Sequence, residues 1–147
     1  MTNVYTIGFT QKNAIKFFES LKENNIELVI DIRLNNTSQL AGFAKYPDIE
    51  FFLNKITNIR YIHDKNFAPE EYTLKRYKKG DIEWKEYVVE FEQTMLNRKI
   101  LDHIKEQYDK EDNICLLCSE NSHIKCHRSL VAEKFKDVFN DIVIINL

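Results

Sequence analysis

Apolar residues along this chain follow two rhythms: short, nearly continuous runs, and longer stretches in which they recur every three or four positions. Val4 to Gly8 is a short β-rich run ended by glycine, and Thr10 follows as an N-cap. The helix this predicts carries Ala14, Phe17, Phe18 and Leu21 at helical spacing, and Asn24-Asn25 closes it. Glu27 to Arg33 (ELVIDIR) then resumes as a strand, which completes a βαβ unit. That second strand is almost wholly apolar until Asp31 and Arg33, the pattern of a buried parallel strand delivering polar groups at its C-terminal edge.

Leu34 to Tyr46 carries turn formers and no period, and reads as a long functional or mobile loop. Pro47 opens a helix whose apolar content is Ile49, Phe51, Phe52, Leu53 and Ile56, and Ile59 to His63 is a third strand. Helices are expected over Pro69 to Tyr77, Ile82 to Leu96 and Lys99 to Tyr108. The middle one bears a stripe of Trp84, Tyr87, Val88, Phe91 and Met95, read as core or as a homodimer contact. Asn113 to Cys118 is a fourth strand, Cys126 to Phe139 the last helix, and Ile142 to Ile145 a final strand. The sum is one α/β domain over residues 1–147: a mainly parallel sheet of about five strands flanked by helices, Rossmann-like and three-layered.

Composition narrows the function classes. Hydrophobic residues make up 44% of 147 positions, with ten Phe and seven Tyr, which excludes a disordered chain. The net charge of −2 gives no global bias toward nucleic acid, so any such contact is local. No apolar run is long enough for a membrane helix and the N-terminus lacks signal-peptide features, so no membrane partner and a cytoplasmic location are expected. Only three glycines are present and no dinucleotide or phosphate-loop fingerprint, so no cofactor is expected.

Candidate chemistry concentrates in Leu116 to Ala132, LLCSENSHIKCHRSLVA. Cys126 at a helix start beside His127 and Arg128 would feel the helix field and nearby positive charge, both favouring thiolate, and is the candidate nucleophile against a packing role. Arg128 with free helix N–H groups suits phosphate, sulfate or carboxylate; its alternative is a salt bridge to Asp31 or Glu120. Glu120 serves as general base or holds Arg128, and His127 titrates near neutrality but equally suits a structural place. Asp31 and Arg33 share a strand face, either meeting a ligand or pairing with each other. Cys115 and Cys118 face opposite sides of their strand, so Cys115 belongs to the core. Cys118, His123, Cys126 and His127 are four possible zinc ligands in ten residues, but their spacing matches no standard finger and no metal is expected. The basic, tyrosine-rich Tyr72 to Lys79 is a solvated helix surface or the rim of a site for a phosphorylated substrate.

A strand order of 3-2-1-4-5 would bring together three strand ends: Gly8-Phe9-Thr10, Asp31 with Arg33, and Cys118-Ser119-Glu120. Thr10 and Cys118 thereby join Asp31, Arg33 and Arg128 as expected substrate contacts, and Cys126, Glu120 and His127 as expected catalytic groups.

TIGFT at 6–10, VIDIR at 29–33 with GF at 42–43, LLCSE from 116 and CHR ending at 128 together resemble the uncharacterised bacterial domain of unknown function 488 family. The resemblance spans nearly the whole chain and implies a small cytoplasmic α/β domain of unestablished activity, with the cysteine, glutamate and CHR positions as its site. The loop LNNTSQLAG departs from the proline-, serine- and base-rich loop the resemblance leads one to expect. Two readings stay open. One is a cysteine-dependent enzyme acting on an anionic small molecule, phosphorylated or derived from nucleic acid; the other is a noncatalytic nucleotide- or nucleic-acid-binding module. Rhodanese-like sulfur transfer is a narrower form of the first, from which Cys126 departs by lying eight residues beyond Cys118 rather than directly after the strand.

Overall fold

The computed structural model describes residues 1, 3–37 and 41–147. Its strands are β1 (Asn3–Gly8), β2 (Leu28–Asp31), β3 (Arg60–His63), β4 (Ile114–Cys118) and β5 (Val143–Asn146). Its helices are α1 (Ala14–Glu23), α2 (Asp48–Phe52), α3 (Glu71–Lys79), α4 (Trp84–Asn97), α5 (Ile100–Tyr108) and α6 (His127–Phe139), with α2 running on into a wider turn over Leu53–Thr57. The expected elements are present, with ends shifted by one or two residues for most of them. Of the expected loop over 34–46, Gly42–Ala44 forms a 3-10 turn, and residues 38–40 lie outside the described residues.

All strand pairs are parallel, but the order is β3-β2-β4-β1-β5, not 3-2-1-4-5. The reason is burial. β4 is apolar at every position and buried at every position, so it takes the centre, where both faces are covered. β3 and β5 alternate between half-buried and exposed residues or leave their ends exposed, and they take the edges. β1 is set one place outward by this insertion, yet the ends of β2, β4 and β1 remain adjacent.

Two cores lie on the two faces of the sheet. On one, Leu28, Ile30, Ile114, Leu116 and Cys118 pack against Phe91 and Met95 of α4, Ile104 and Tyr108 of α5 and Phe135 of α6. On the other, Val29, Cys115 and Leu117 meet Phe17, Phe18 and Leu21 of α1 with Ile49 and Leu53. Alternation along β4 therefore puts Cys115 and Cys118 on opposite faces, as expected from the two-residue period. The cap of α1 is Asn13, whose side chain accepts from Lys16 N at 2.8 Å; Thr10 lies too early for that role. α4 starts at Trp84 because Glu83 and Glu86 form a reciprocal capping box there.

Just past β3, buried Asp64 ties the sheet edge to α5. Its Oδ2 accepts from His103 Nε2 and the Tyr108 hydroxyl, each at 2.6 Å, and its Oδ1 accepts from Asn66 N at 3.0 Å. Burial opposes ionisation, but hydrogen bonds from Tyr108, His103 and Asn66 outweigh it and hold the carboxyl below its ordinary value. Because the folded value is depressed, Asp64 stabilises fully above its unfolded value of about 3.9 and loses that contribution as pH falls through the folded one. Asp64→Asn should lower neutral-pH stability by about 1–3 kcal/mol, with the gap to the parent narrowing in acid. Urea unfolding at neutral and acidic pH checks this, and a gap unchanged by pH would contradict it.

Candidate functional site

β4 ends at Cys118, the chain loops over residues 119–125, and Cys126 begins α6 in extended conformation, preceded by Lys125 at φ 54°. This return places the two sulfurs 3.0 Å apart. The Arg128 guanidinium lies behind them. Its Nη1 donates to Cys118 Sγ at 3.5 Å and to the Glu120 carbonyl at 2.7 Å, and Nη2 donates to the Asn121 carbonyl at 3.2 Å. Arg128 is 1% exposed, and among the described residues its partners are one sulfur and two backbone carbonyls, with no carboxylate.

Those contacts set the two thiols apart. Burial raises Cys118, but the Cys126 S–H, the Arg128 charge and a backbone hydrogen bond at Glu120 outweigh it, so Cys118 falls below its ordinary value. Cys126 rises, because its hydrogen bond with the Cys118 sulfur and its burial both favour the protonated thiol. The Arg128 guanidinium favours the thiolate form of the strand-end sulfur it touches, whereas the helix-start N–H of Arg128 acts on Cys126 and is outweighed there. Cys115, wholly buried, is pushed up by desolvation.

Over the two sulfurs lies a cleft of about 250 Å³. Cys118, Ser119, Glu120, Cys126 and His127 form its floor, with Arg33 and Asn35 from the β2 end on one side. Tyr77 and Lys78 of α3, with Trp84 and Tyr87 of α4, form the facing wall. Trp84 and Tyr87 stack at 5.1 Å with an interplanar angle of 15°, and Tyr77 packs 5.0 Å from Tyr87. Lys125 adds a cation at the mouth.

The other expected residues have separate places. Asp31 is fully buried and pairs with Arg33 through Nε at 2.8 Å and Nη2 at 2.7 Å, while also accepting from the Tyr61 hydroxyl at 2.5 Å. Arg33 further donates to the Ala44 carbonyl and stacks over Phe9, so the pair is chiefly an internal tie, though Arg33 reaches the cleft. His127 Nε2–H donates to the Ile32 carbonyl at 2.9 Å; burial lowers its pKa to about 4, so the ring is neutral at pH 7. The Glu120 side chain is exposed on the rim, and it is the residue's backbone carbonyl, not its carboxylate, that holds Arg128. Thr10 is exposed and donates through N and hydroxyl to the Ser119 carbonyl, fastening the β1 end to the loop. Arg128 and Thr10 thus shape the loop and do not line the cleft. Among the described residues no three His, Cys, Asp or Glu side chains converge as metal ligands; His123 contributes its carbonyl to Ser129.

The family model described as domain of unknown function DUF488 matches residues 13–135, most of the chain. The chain belongs to the DUF488 family. The match takes in Asp31, Arg33 and the whole Cys118-to-Arg128 segment, and stops short of Gly8 and Thr10. No curated protein and no solved structure matches the chain. In this DUF488 domain, no described helix is long and apolar enough to cross a membrane.

Two contributors were hidden in the sequence. The aromatic wall was one: Trp84 and Tyr87 look like the start of a core stripe, and only the capping box at Glu83 marks them as the helix's first turn. Gly8 is the other. A Cβ there would lie 1.5 Å from the Glu120 carbonyl oxygen and 2.6 Å from Arg128 Nη1, so glycine is what lets the loop and guanidinium press onto β1. Gly8→Ala should therefore displace the loop, cost about 1–3 kcal/mol or more, and slow alkylation of Cys118. Thermal unfolding with site-resolved thiol labelling tests this; unchanged stability and labelling would refute the packing.

Proposed function

We propose that this protein is a cysteine-dependent enzyme in which Cys118 is the nucleophile, acting on an anionic ligand with a flat ring, phosphorylated or derived from nucleic acid. The observation that carries this is Cys118 Sγ at the cleft floor, in contact with both the Cys126 thiol at 3.0 Å and the Arg128 guanidinium at 3.5 Å. A thiolate so held attacks an electrophilic centre and forms a covalent intermediate. Cys126 and Arg128 position it, Glu120 on the rim is the group able to exchange a proton with a leaving group, and neutral His127 fixes the start of α6.

The cleft wall supports the substrate class. Arg33 is already answered by Asp31, which leaves Lys78 and Lys125 against Glu120 alone. The aromatic faces of Tyr77 and Trp84 suit stacking with a ring. At about 250 Å³ the cleft is smaller than the usual range of about 300–1,000 Å³, so it takes one ring and its anionic group rather than a whole polymer. The noncatalytic binding reading uses the same wall with an idle thiol. Sulfur transfer is a narrower form of the enzymatic reading, favoured by Cys118 standing at the very end of β4.

Iodoacetamide labelling at neutral pH, mapped by mass spectrometry, should modify Cys118 ahead of Cys126 and Cys115, and adenosine monophosphate should slow it. Arg128→Met should reduce the Cys118 rate by about tenfold, because the thiol loses the positive charge that favours its thiolate. Protection by the nucleotide with an inert Cys118 would instead establish the binding module. Neither reactivity nor protection would overturn both.

A further inference from the structure

The second thiol suggests chemistry that a lone nucleophile does not need. Cys126 faces Cys118 across 3.0 Å, and both sulfurs are nearly enclosed, at 1% and 3% residue exposure. Such enclosure favours a narrow electrophile over a bulky one. The gap is also close to bonding: a disulfide of about 2.05 Å needs the sulfurs to approach by roughly 1 Å. Eight positions of chain separate the two residues, and the loop between them is exposed over most of its length, so it can yield by that amount.

We propose that Cys118 and Cys126 form a reversible two-electron oxidation site for small hydroperoxides, which switches the nucleophile off. This rests on Cys118 being the thiolate of the proposed function. In the first step the Cys118 sulfur attacks the distal oxygen of ROOH; the O–O bond breaks, the sulfur becomes a sulfenic acid, and RO⁻ leaves and takes a proton from water. In the second, Cys126 sulfur attacks Cys118 sulfur, its proton joins the departing hydroxide as water, and the disulfide forms. The sum is two thiols and one hydroperoxide giving a disulfide, an alcohol and water. The oxidant is the hydroperoxide, and a small dithiol restores both thiols by exchange.

Arg128 contributes to both steps. Its Nη1 contact keeps Cys118 as the attacking sulfur, and its bonds to the Glu120 and Asn121 carbonyls hold the loop that carries Cys126 toward it. Cys115 is outside the reaction, because it faces the opposite core.

Reduced protein has three free thiols. Treated with one equivalent of hydrogen peroxide and then denatured, it should titrate one thiol, and peptide mapping should link Cys118 to Cys126, with dithiothreitol restoring all three. Cys126→Ser should stop at the Cys118 sulfenic acid, trapped by dimedone. If peroxide leaves wild-type protein with three thiols, or over-oxidises Cys118 while Cys126 stays free, and Cys118 of untreated protein still alkylates fast, the oxidation site is refuted and the nucleophile stands. If Cys118 neither oxidises nor alkylates, both fall.

Discussion

Everything at this site depends on a buried cation without a carboxylate. Taking a guanidinium out of water costs several kcal/mol even after the protein relaxes around it, and that cost must be met by hydrogen bonds and an opposite charge. Arg128 finds two backbone carbonyls and the sulfur of Cys118. The carbonyls fold the β4–α6 loop back over the strand end, and the sulfur accepts from the guanidinium, which favours its thiolate form. A single side chain therefore shapes the loop and favours the Cys118 sulfur as the thiolate. Gly8 makes room for this on β1, and Thr10 pins the loop from the same side.

The sheet sets where this happens. Because β4 is apolar throughout and occupies the centre, its end opens onto the carboxyl edge, with β2 and β1 on either side. β2 delivers the Asp31–Arg33 pair, whose charges are mostly satisfied internally and whose main product is a rigid neighbour for the cleft. The opposite wall comes from α3 and α4, whose aromatic residues close over the sulfurs. Floor and wall thus come from distant parts of the chain.

Much of this could be read from residue order. The strands, the helices and the opposite facing of Cys115 and Cys118 all follow from period and residue type. The strand order did not, since placing β4 between β2 and β1 turns on comparing the burial of whole strands rather than on any local signal. The cap at Asn13 was missed for a similar reason: Thr10 and Asn13 are both good caps, and the length of the turn after β1 decides between them. The ionising thiol was the subtlest case. Cys126 has the helix start and Arg128 as sequence neighbours, yet the guanidinium reaches back to Cys118, and contact rather than adjacency sets which thiol is lowered and which is raised.

The most direct test of this account is the ultraviolet thiolate absorbance of the native protein followed against pH, with Cys118→Ser subtracted. The expected result is a difference curve with its midpoint below the ordinary thiol value of about 8.5. A midpoint at or above that value, or a low-pH thiolate signal that persists in Cys118→Ser, would contradict it.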